Sequence, residues 1–292
     1  MDRFLFLTFG GLSTGAVYAA FALALVLIWR AARLVNFAHG AMAVATAYVG
    51  YAVAAATGSY WLGLGTAVLA GLLLGALVER VLMRFVGHAN PLNEVIVALG
   101  LVLLIQAVLG MVFGNGYRPA PAPFDTDALT VGGVAALSPY DLWVLGAVLV
   151  VVVLLALLFT RTPIGLRMRA AAFAPEVSRL LGVDVGRMLT LGWALAAAVG
   201  ALAGMLVVPT GLGLHPHAMD LVFVVAFTAA VVGGLDSPAG AVVGGLLVGL
   251  ILSYVTGYLG PDTTPLAVLV LLLAVLLVRP GGLFSSARAR HV

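Results

Sequence analysis

Cysteine and lysine are absent from this chain of 292 residues, and charged residues make up only 9% of it. Without cysteine the chain cannot form disulfides or thiolate metal sites, and nothing in the sequence indicates its redox compartment. The charged fraction is far below the roughly 25% of soluble domains, and hydrophobic residues reach 63%. These proportions indicate a membrane protein. The net charge of +3 comes from arginine-rich loops and does not indicate nucleic-acid binding.

Catalytic and nucleotide-binding signatures are also missing. The sequence contains no HExxH and no GxxxxGK[ST] pattern. We therefore expect no enzymatic activity, no cofactor and no ATP hydrolysis by this chain itself. His215 and His217 are a possible metal-binding pair, but we identify no third ligand at a suitable spacing. We expect both histidines to lie in an outer loop and predict no metal site.

Apolar runs are abundant, and nine of them are candidates for membrane-spanning helices. A span needs about 20 mostly apolar residues, so the chain accommodates eight or nine. The first run is too long for a signal-peptide core, and we interpret it as a retained span. The runs 36–56 and 219–235 are the weakest and are candidates for broken or re-entrant helices. We predict an all-α polytopic membrane protein in which residues 1–292 form a single transmembrane domain. The predicted spans are 4–29, 36–56, 60–83, 92–113, 139–160, 187–209, 219–235, 240–258 and 264–278.

Capping residues support several of these helix starts. Ser138 is followed by a proline and, three residues on, by Asp141, which fits a capping box. Asn90-Pro91, Ser237-Pro238 and Thr264-Pro265 have a similar form. Caps are expected at the membrane interface because backbone donors in lipid must be satisfied within the protein.

The arginines predict the orientation. If the loop 161–187 is inside, twelve of the fourteen arginines are inside, and only Arg3 and Arg118 are outside. This distribution follows the positive-inside rule, with the N-terminus outside and the C-terminus in the cytoplasm. The segment 114–138 is rich in glycine and proline and is predicted to be an outer loop, either a cover or a docking surface.

Small residues at helical spacing predict close packing between spans. Two Gly-x-x-x-Gly pairs each place glycines on one face, which lets two helices approach closely in lipid. The first span has a similar small face. Such faces fit ordinary membrane packing, a translocation path or a subunit contact. The residues are Gly71 and Gly75, Gly245 and Gly249, and Gly10, Gly11, Ser13 and Gly15.

Polar residues in or beside the spans are candidates for a pathway or a gate, because ionisable groups at membrane depth are often functional. Most of them are expected near the inner face, where mutual pairing is the alternative role. Gln106 is expected to lie deeper, where it either bonds to a neighbouring helix or lines a polar path. The pathway or gate candidates are Asn36, His39, Glu94 and Gln106, and Glu79, Arg80 and Asn93 belong to the same inner group.

The loop 161–187 is longer than a simple turn between two spans. Pro175 suits the first position of a short helix, Glu176 its first turn, and Gly182 the position just after its end. A short amphipathic helix of this kind either lies on the membrane or inserts into a groove of a partner. Its apolar face would consist of Val177, Leu180 and Leu181.

At this loop the chain resembles the permease subunits of branched-chain amino acid ABC transporters. The segment RMRAAAFAPEVSRLLGVDVGRMLTLGWALAAAVGALAGML (167–206) resembles their cytoplasmic coupling loop and the helix that follows. The length is similar to the shorter of the two permease types, the LivH type. Further motifs of that family follow in the right order: LVNFAHGAM (34–42), ERVLMR (79–84), ALGLVLLIQ (98–106), AAVVGGLDSPAGAVVGGLLVGL (229–250) and RPGGLF (279–284).

The resemblance implies a set of partners. A related second permease would form a heterodimer with this chain, two cytoplasmic ATP-binding subunits would dock on the coupling helices, and a periplasmic protein would deliver substrate. The chain would be surrounded by lipid in a bacterial inner membrane. ATP-driven closure would move residues 174–182, the coupling helix, and switch the access of the pathway. The expected ATPase contact consists of Pro175, Glu176, Arg179, Leu180 and Gly182.

The implied function is import of branched-chain or other small amino acids. Ala41, Val225 and Asp236 stand where relatives often have an acidic residue, a lysine and a glycine, so urea or short amides are alternative substrates. A second interpretation is an ion-coupled secondary transporter, although that class usually has carboxylates near mid-span. A membrane-embedded enzyme is a third, and it lacks an evident nucleophile or metal set.

Overall fold

A computed structural model describes residues 2–86, 91–131, 134–135, 137–210 and 213–284 of this chain. Asn90 and four further residues of the sequence interpretation, His88, Arg288, Arg290 and His291, lie outside these ranges. The described helices are α1 (Asp2–Ala32), α2 (His39–Thr57), α3 (Tyr60–Leu77), α4 (Pro91–Phe113), α5 (Pro139–Arg161), α6 (Pro163–Phe173), α7 (Pro175–Leu180), α8 (Val185–Val207), α9 (Asp220–Gly233), α10 (Pro238–Leu259) and α11 (Thr264–Val278). A hairpin of two-residue strands, β1 (Thr130–Val131) and β2 (Val134–Ala135), pairs antiparallel with Thr130 opposite Ala135.

Eight of the described helices are long and apolar enough to cross a membrane. A π-helical turn, Val78–Leu82, and a 3-10 turn, Met83–Phe85, extend α3 beyond its own 18 residues. The helix α11 has 15 residues and qualifies only together with the 3-10 turn Pro261–Thr263 that precedes it. The helix α9 has 14 residues and is about 21 Å long, which is shorter than the roughly 30 Å of a hydrocarbon core. The all-α polytopic class with eight or nine spans is confirmed, and the weak run 219–235 forms the short helix α9.

The helices α1 and α8 lie at the centre of the bundle. Alanines such as Ala20, Ala196 and Ala201 have no or almost no exposed surface, which shows that helix backbones pack closely around them. The helices α4, α5 and α11 lie at the periphery, with apolar side chains such as Leu103 and Leu277 largely exposed. An apolar outer surface of this extent is what lipid or further membrane subunits would cover.

The predicted glycine faces account for the two closest helix pairs. Gly71 and Gly75 face α8, where an added Cβ at Gly71 would lie 2.7 Å from the carbonyl oxygen of Ala197. Gly245 and Gly249 face α1, and an added Cβ at Gly245 would overlap the backbone of Ala19. On α1, Gly11 and Gly15 face α10, whereas an added Cβ at Gly10 would meet no atom within 4 Å. The close packing is therefore confirmed for both Gly-x-x-x-Gly pairs.

The two ends of the bundle differ in charge. At one end Arg33, after α1, bonds to Asp236, between α9 and α10, over 2.5 Å. The end of α3 and the start of α8 meet at the same end, and we call it the arginine-rich end. At the opposite end Arg3 bonds to the carbonyl of Gly257, and Arg118 forms a backbone bridge with Leu214.

The predicted outer loop 114–138 runs across the end opposite the arginine-rich end. Its Arg118 exchanges two backbone hydrogen bonds with Leu214, which lies between α8 and α9. The carbonyl of Asp125 accepts a bond from the Tyr140 amide at the start of α5. In its described part the segment is thus attached to the connection between α8 and α9 and to the start of α5.

Two of the predicted caps are found at helix starts. Ser138 and Asp141 form the predicted capping box of α5, and the Ser237 hydroxyl accepts a bond from the Gly240 amide at the start of α10. The prediction for Thr264 is wrong by one residue. The N-cap position of α11 is Thr263, which makes no capping bond because its hydroxyl donates to the Gly260 carbonyl. The Thr264 hydroxyl bonds to that of Thr256 at 3.0 Å.

Candidate functional site

The segment 161–187 contains two helices, of which the sequence interpretation recognised only the second. The helix α6 starts after Thr162, whose hydroxyl accepts a bond from the Gly165 amide, with Pro163 at the first helical position. The following run of alanines favours a helix. These signals were present in the sequence, and the short length of the run between Pro163 and Pro175 led to its interpretation as a loop.

The helix α7 has the predicted start and end. Pro175 occupies its first position, and Gly182 follows its C-cap residue with a φ of +80°. The amide of Gly182 donates to the Arg179 carbonyl, and the amide of Val183 donates to the Ser178 carbonyl. These two bonds are the Schellman arrangement, which requires a residue that tolerates positive φ after the helix end. The short helix is therefore firmly terminated.

The apolar face of α7 is not used inside this chain. Leu180 is 88% exposed, Leu181 78% and Val177 55%, whereas Ser178 is buried on the opposite side. Glu176 and Arg179 are exposed beside that face. Three neighbouring apolar side chains with this exposure indicate a contact surface for lipid or for another protein.

The candidates Asn36 and His39 lie deeper than the sequence predicted. His39 is fully buried and its ring packs edge-on against Phe21, with centroids 4.7 Å apart. An added Cβ at Gly200 would lie 2.7 Å from the His39 Nε2 atom. Phe21 and Gly200 both lie well inside their helices, so the expected position near the inner face is wrong. The reason is the non-helical segment 33–38, which carries the chain from the end of α1 into the bundle.

Asn36 organises the start of α2. Its Oδ1 atom accepts a bond of 3.0 Å from the Ala38 amide, and its Nδ2 atom lies 3.5 Å from the Met42 sulfur. Neither ring nitrogen of His39 has a hydrogen-bond partner among the described residues. Because an unsatisfied buried polar group costs free energy, such a side chain is a reasonable candidate for a role beyond packing.

Gln106 bonds to a neighbouring helix, which was one of its two expected roles. Its Nε2 atom donates to the Asp220 carboxylate over 3.0 Å, and the other oxygen of that carboxylate lies 3.0 Å from His217 Nδ1. Asp220 begins α9, next to Met219, whose carbonyl faces Gly40 of α2. The structure thus brings Gln106 close to the junction of α2 and α9.

Glu94 does not join that group. It lies in the first turn of α4 and is partly buried. Twelve helical residues separate it from Gln106, which corresponds to about 18 Å along the axis. The four pathway or gate candidates therefore do not converge on one site.

Glu79 pairs with its neighbours, which was one of its two expected roles. It is 4% exposed within the π-helical turn, accepts a bond of 2.5 Å from the Thr190 hydroxyl, and lies 3.6 Å from the Arg84 guanidinium. This small network fastens the end of α3 to the start of α8.

The two histidines of the segment between α8 and α9 diverge. The His215 ring stacks on Tyr117 at 4.8 Å, whereas His217 turns toward Asp220. Asp220 is the nearby carboxylate that the sequence interpretation overlooked, three residues after His217. Burial lowers the pKa of His215, the charge of His217 lowers it further, and Asp220 opposes both effects. Within the described ranges no three side chains are grouped to hold a metal ion.

A cavity of about 320 Å³ lies at the arginine-rich end, between α1, α5, α6 and α8. Arg30, Arg33 and Arg169 line it together with Asp236, and Phe159, Phe173 and Leu195 supply apolar wall. The sequence interpretation treated these arginines only as topology anchors. No local signal could have grouped them, because Arg30 and Arg33 lie at the end of α1, Arg169 lies on α6, and Asp236 comes from a third segment.

Comparisons with known proteins agree with these features. Residues 7–279 match the family model described as the permease component of the branched-chain amino acid transport system. The chain is 29% identical to the high-affinity branched-chain amino acid transport system permease protein LivH of Escherichia coli, across 97% of this chain and 96% of that protein. It is 27% identical to the corresponding permease protein BraD of Pseudomonas aeruginosa, with the same coverage. Among solved structures, PsaBC from Streptococcus pneumoniae in complex with Fab is similar in fold, with a TM-score of 0.51 and 14% identity over 93% of this chain and 91% of that one.

Proposed function

The chain belongs to the family of branched-chain amino acid transport system permease components, and on this premise we propose that it carries branched-chain amino acids across the membrane in an ATP-driven importer. The observation that carries the proposal is the family match from residue 7 to residue 279, which reaches from α1 past the end of α11. Permeases of ABC importers work with ATPases and a binding protein, so partners of both kinds are expected. The relatives favour this function over urea transport and over ion-coupled transport.

The arrangement of partners follows from the two ends of the bundle. The arginine-rich end faces the cytoplasm by the positive-inside rule, so the N-terminus is outside and the C-terminus inside, in a bacterial inner membrane. The exposed apolar surfaces of α4, α5 and α11 offer area for lipid and for a related second permease. In this arrangement the periplasmic binding protein delivers substrate at the end covered by residues 114–138.

The helix α7 is the element that transmits ATPase movement. Its exposed Leu180, with Glu176 and Arg179 beside it, supports an apolar contact with a charged rim, and Pro175 and Gly182 fix its two ends. Burial of one leucine contributes about 1.5–3 kcal/mol. A rigid helix that docks in a groove of the ATPase would shift α6 and α8 with it when the ATPases close. The chain itself would contribute no catalysis.

Asn36, His39, Glu94 and Gln106 are proposed as pathway or gate residues. The support is strongest for His39, which is buried with unpartnered ring nitrogens in the described structure, and for Gln106, which lies beside the junction of α2 and α9. Replacing His39 by Phe keeps an aromatic ring against Phe21. It should leave the protein folded and reduce uptake if the imidazole serves the pathway.

The experiment is uptake of labelled leucine into vesicles that contain this chain, the second permease and the ATPases, with binding protein outside and ATP inside. Replacing Pro175, Glu176 and Arg179 together by Ala should abolish ATPase docking and uptake. The matched control is Arg167→Ala on α6, which should change neither. Unchanged docking and uptake in the triple variant would refute the role of α7. Leucine uptake in vesicles without ATPases would refute the ATP-driven function.

A further inference from the structure

The cavity at the arginine-rich end has unbalanced charge. Three guanidinium groups, from Arg30, Arg33 and Arg169, share it with the single carboxylate of Asp236. Asp236 is already bonded to Arg33 over 2.5 Å. Within the described part of the chain, Arg30 and Arg169 have no hydrogen bond or ion pair. Arg30 and Arg169 therefore have no carboxylate paired with them at the cavity, and the excess of positive charge favours an anionic ligand.

The backbone of Arg33 has an unusual conformation at the edge of this cavity. Arg33 has a φ of +57° and is the one residue other than glycine with positive φ in the described ranges. A residue with a Cβ is strained in this conformation, and glycine would avoid the strain. In this conformation the Arg33 side chain forms an ion pair with Asp236 and lines the cavity.

The surroundings of the cavity are those of the membrane interface. The helix α6 forms one wall, and it exposes Ile164, Leu166 and Phe173 alongside Arg167 and Arg169. Exposed apolar residues next to arginines are typical of a helix that lies at the boundary of acyl chains and headgroups. The cavity therefore opens where lipid headgroups are present at high concentration.

We propose that this cavity binds the phosphate group of an anionic phospholipid, with Arg30 and Arg169 as its principal ligands. Basic pockets between spans are a known means of binding lipid headgroups, and guanidinium groups match phosphate geometry. A volume of about 320 Å³ corresponds to about ten water molecules at ~30 Å³ each, enough for a phosphate with part of its glycerol. The apolar side chains of Phe159 and Leu195, which also line the cavity, would then contact the first carbons of the acyl chains.

A lipid bound here would brace the segment that leads to α7. Ala172 and Phe173 line the cavity, and α7 starts two residues after Phe173. The phosphate would join α6 to the end of α1 through Arg169 and Arg30. The proposal requires only that the chain lies in a membrane and does not depend on its transport substrate.

The test is lipid binding by the full-length chain in neutral detergent, measured by native mass spectrometry with phosphatidylglycerol and phosphatidylcholine in competition. Each arginine should contribute about fivefold to the preference for phosphatidylglycerol, from ~1 kcal/mol per basic residue. The variant Arg30→Gln/Arg169→Gln should lose the preference. The matched control Arg161→Gln/Arg167→Gln removes the same charge from exposed arginines that do not line the cavity, and it should keep the preference.

Two further variants keep the proposal testable if the double variant does not fold. Arg169→Gln alone changes an exposed residue of α6 and should still lower the preference about fivefold. Asp236→Asn removes the one negative charge that lines the cavity, and it should raise the preference for phosphatidylglycerol. Equal preferences in both double variants would overturn the proposal. Inorganic phosphate is the second arm: if it displaces phosphatidylglycerol at similar concentration, the site binds a free anion and the lipid assignment is wrong.

Discussion

The side-chain amide of Gln106 donates a hydrogen bond of 3.0 Å to the carboxylate of Asp220. This contact joins the later part of α4 to the first residue of α9, the short helix of the bundle. Because α4 makes few other contacts with the rest of the chain, the bond fixes how a peripheral helix sits against the part of the fold where α2 and α9 meet.

Replacing Gln106 by Leu should weaken this attachment. Hydrogen bonds between membrane helices contribute about 0.6 kcal/mol on average and up to about 1.7, so the free energy of unfolding should fall by an amount in that range. A double-mutant cycle with Asp220→Ala, which removes the acceptor, measures the coupling, and an uptake assay on the same proteins separates stability from transport. A coupling near zero would show that the observed bond does not stabilise the protein.

Replacing Glu79 by Leu should destabilise the junction of α3 and α8. The substitution removes the carboxylate that the Thr190 hydroxyl bonds and that Arg84 faces. Loss of a buried acceptor costs about 1–3 kcal/mol. Glu79→Gln keeps an acceptor and should cost less, because the ion pair with the half-exposed Arg84 is worth no more than about 1 kcal/mol. Thermal unfolding of both variants provides the comparison, with Glu176→Gln on the exposed helix α7 as the control.

Adding a methyl group between α1 and α10 should be strongly unfavourable. A Cβ at Gly245 would overlap the backbone of Ala19, and overpacking of this kind costs about 1–3 kcal/mol. Gly100 is the matched control, since an added Cβ there meets no atom within 4 Å. Gly100→Ala should stabilise α4 by about 0.5–1 kcal/mol. Thermal midpoints that move in the same direction for both variants would contradict the observed packing.

The stability of the protein should fall when the pH is lowered through the range of His215. Burial lowers the pKa of this histidine below its usual 6.5. The charge of His217 lowers this pKa as well, and the charge of Asp220 raises it. The unfolded chain therefore takes up the proton first as the pH falls past 6.5, and the free energy of unfolding decreases until the pKa of the folded state is passed. Full stability from this group is present above pH 6.5.

The variant His215→Gln should remove this part of the pH dependence. Thermal midpoints measured from pH 8 to pH 5 give the slope for each protein, and the two proteins are compared at pH 8, where His215 is neutral in both states. An unchanged slope in the variant would assign the pH dependence to another group. The stacked ring of Tyr117 offers a second check, because Tyr117→Ala should expose His215 and reduce the slope as well.

Most of the transmembrane architecture could be predicted from the sequence, because it depends on local properties. The length of apolar runs predicted the eight long helices, and Pro175 and Gly182 predicted both ends of α7, since each acts through its own backbone restrictions. The same reasoning missed α6, whose eleven residues are too few and too mixed in polarity to stand out as a periodic pattern.

Positions across the bundle could not be predicted in the same way. His39 was expected near the inner face because it starts an apolar run, but the non-helical segment 33–38 places it beside Phe21 and Gly200. Asp220 lies 114 residues from its partner Gln106, and nothing local links the two.

By itself the sequence determined that this chain is a helical membrane protein, where most of its long helices lie, and which family its motifs resemble. Composition and capping act over a few residues, so they can be read without the fold. Only the tertiary structure decided that Arg30 and Arg169 line one cavity with Asp236, and that Leu180 and Leu181 remain exposed on α7 and at its end. Those relationships depend on how distant helices pack, and packing is set by the fit of whole helix surfaces rather than by any single run of residues.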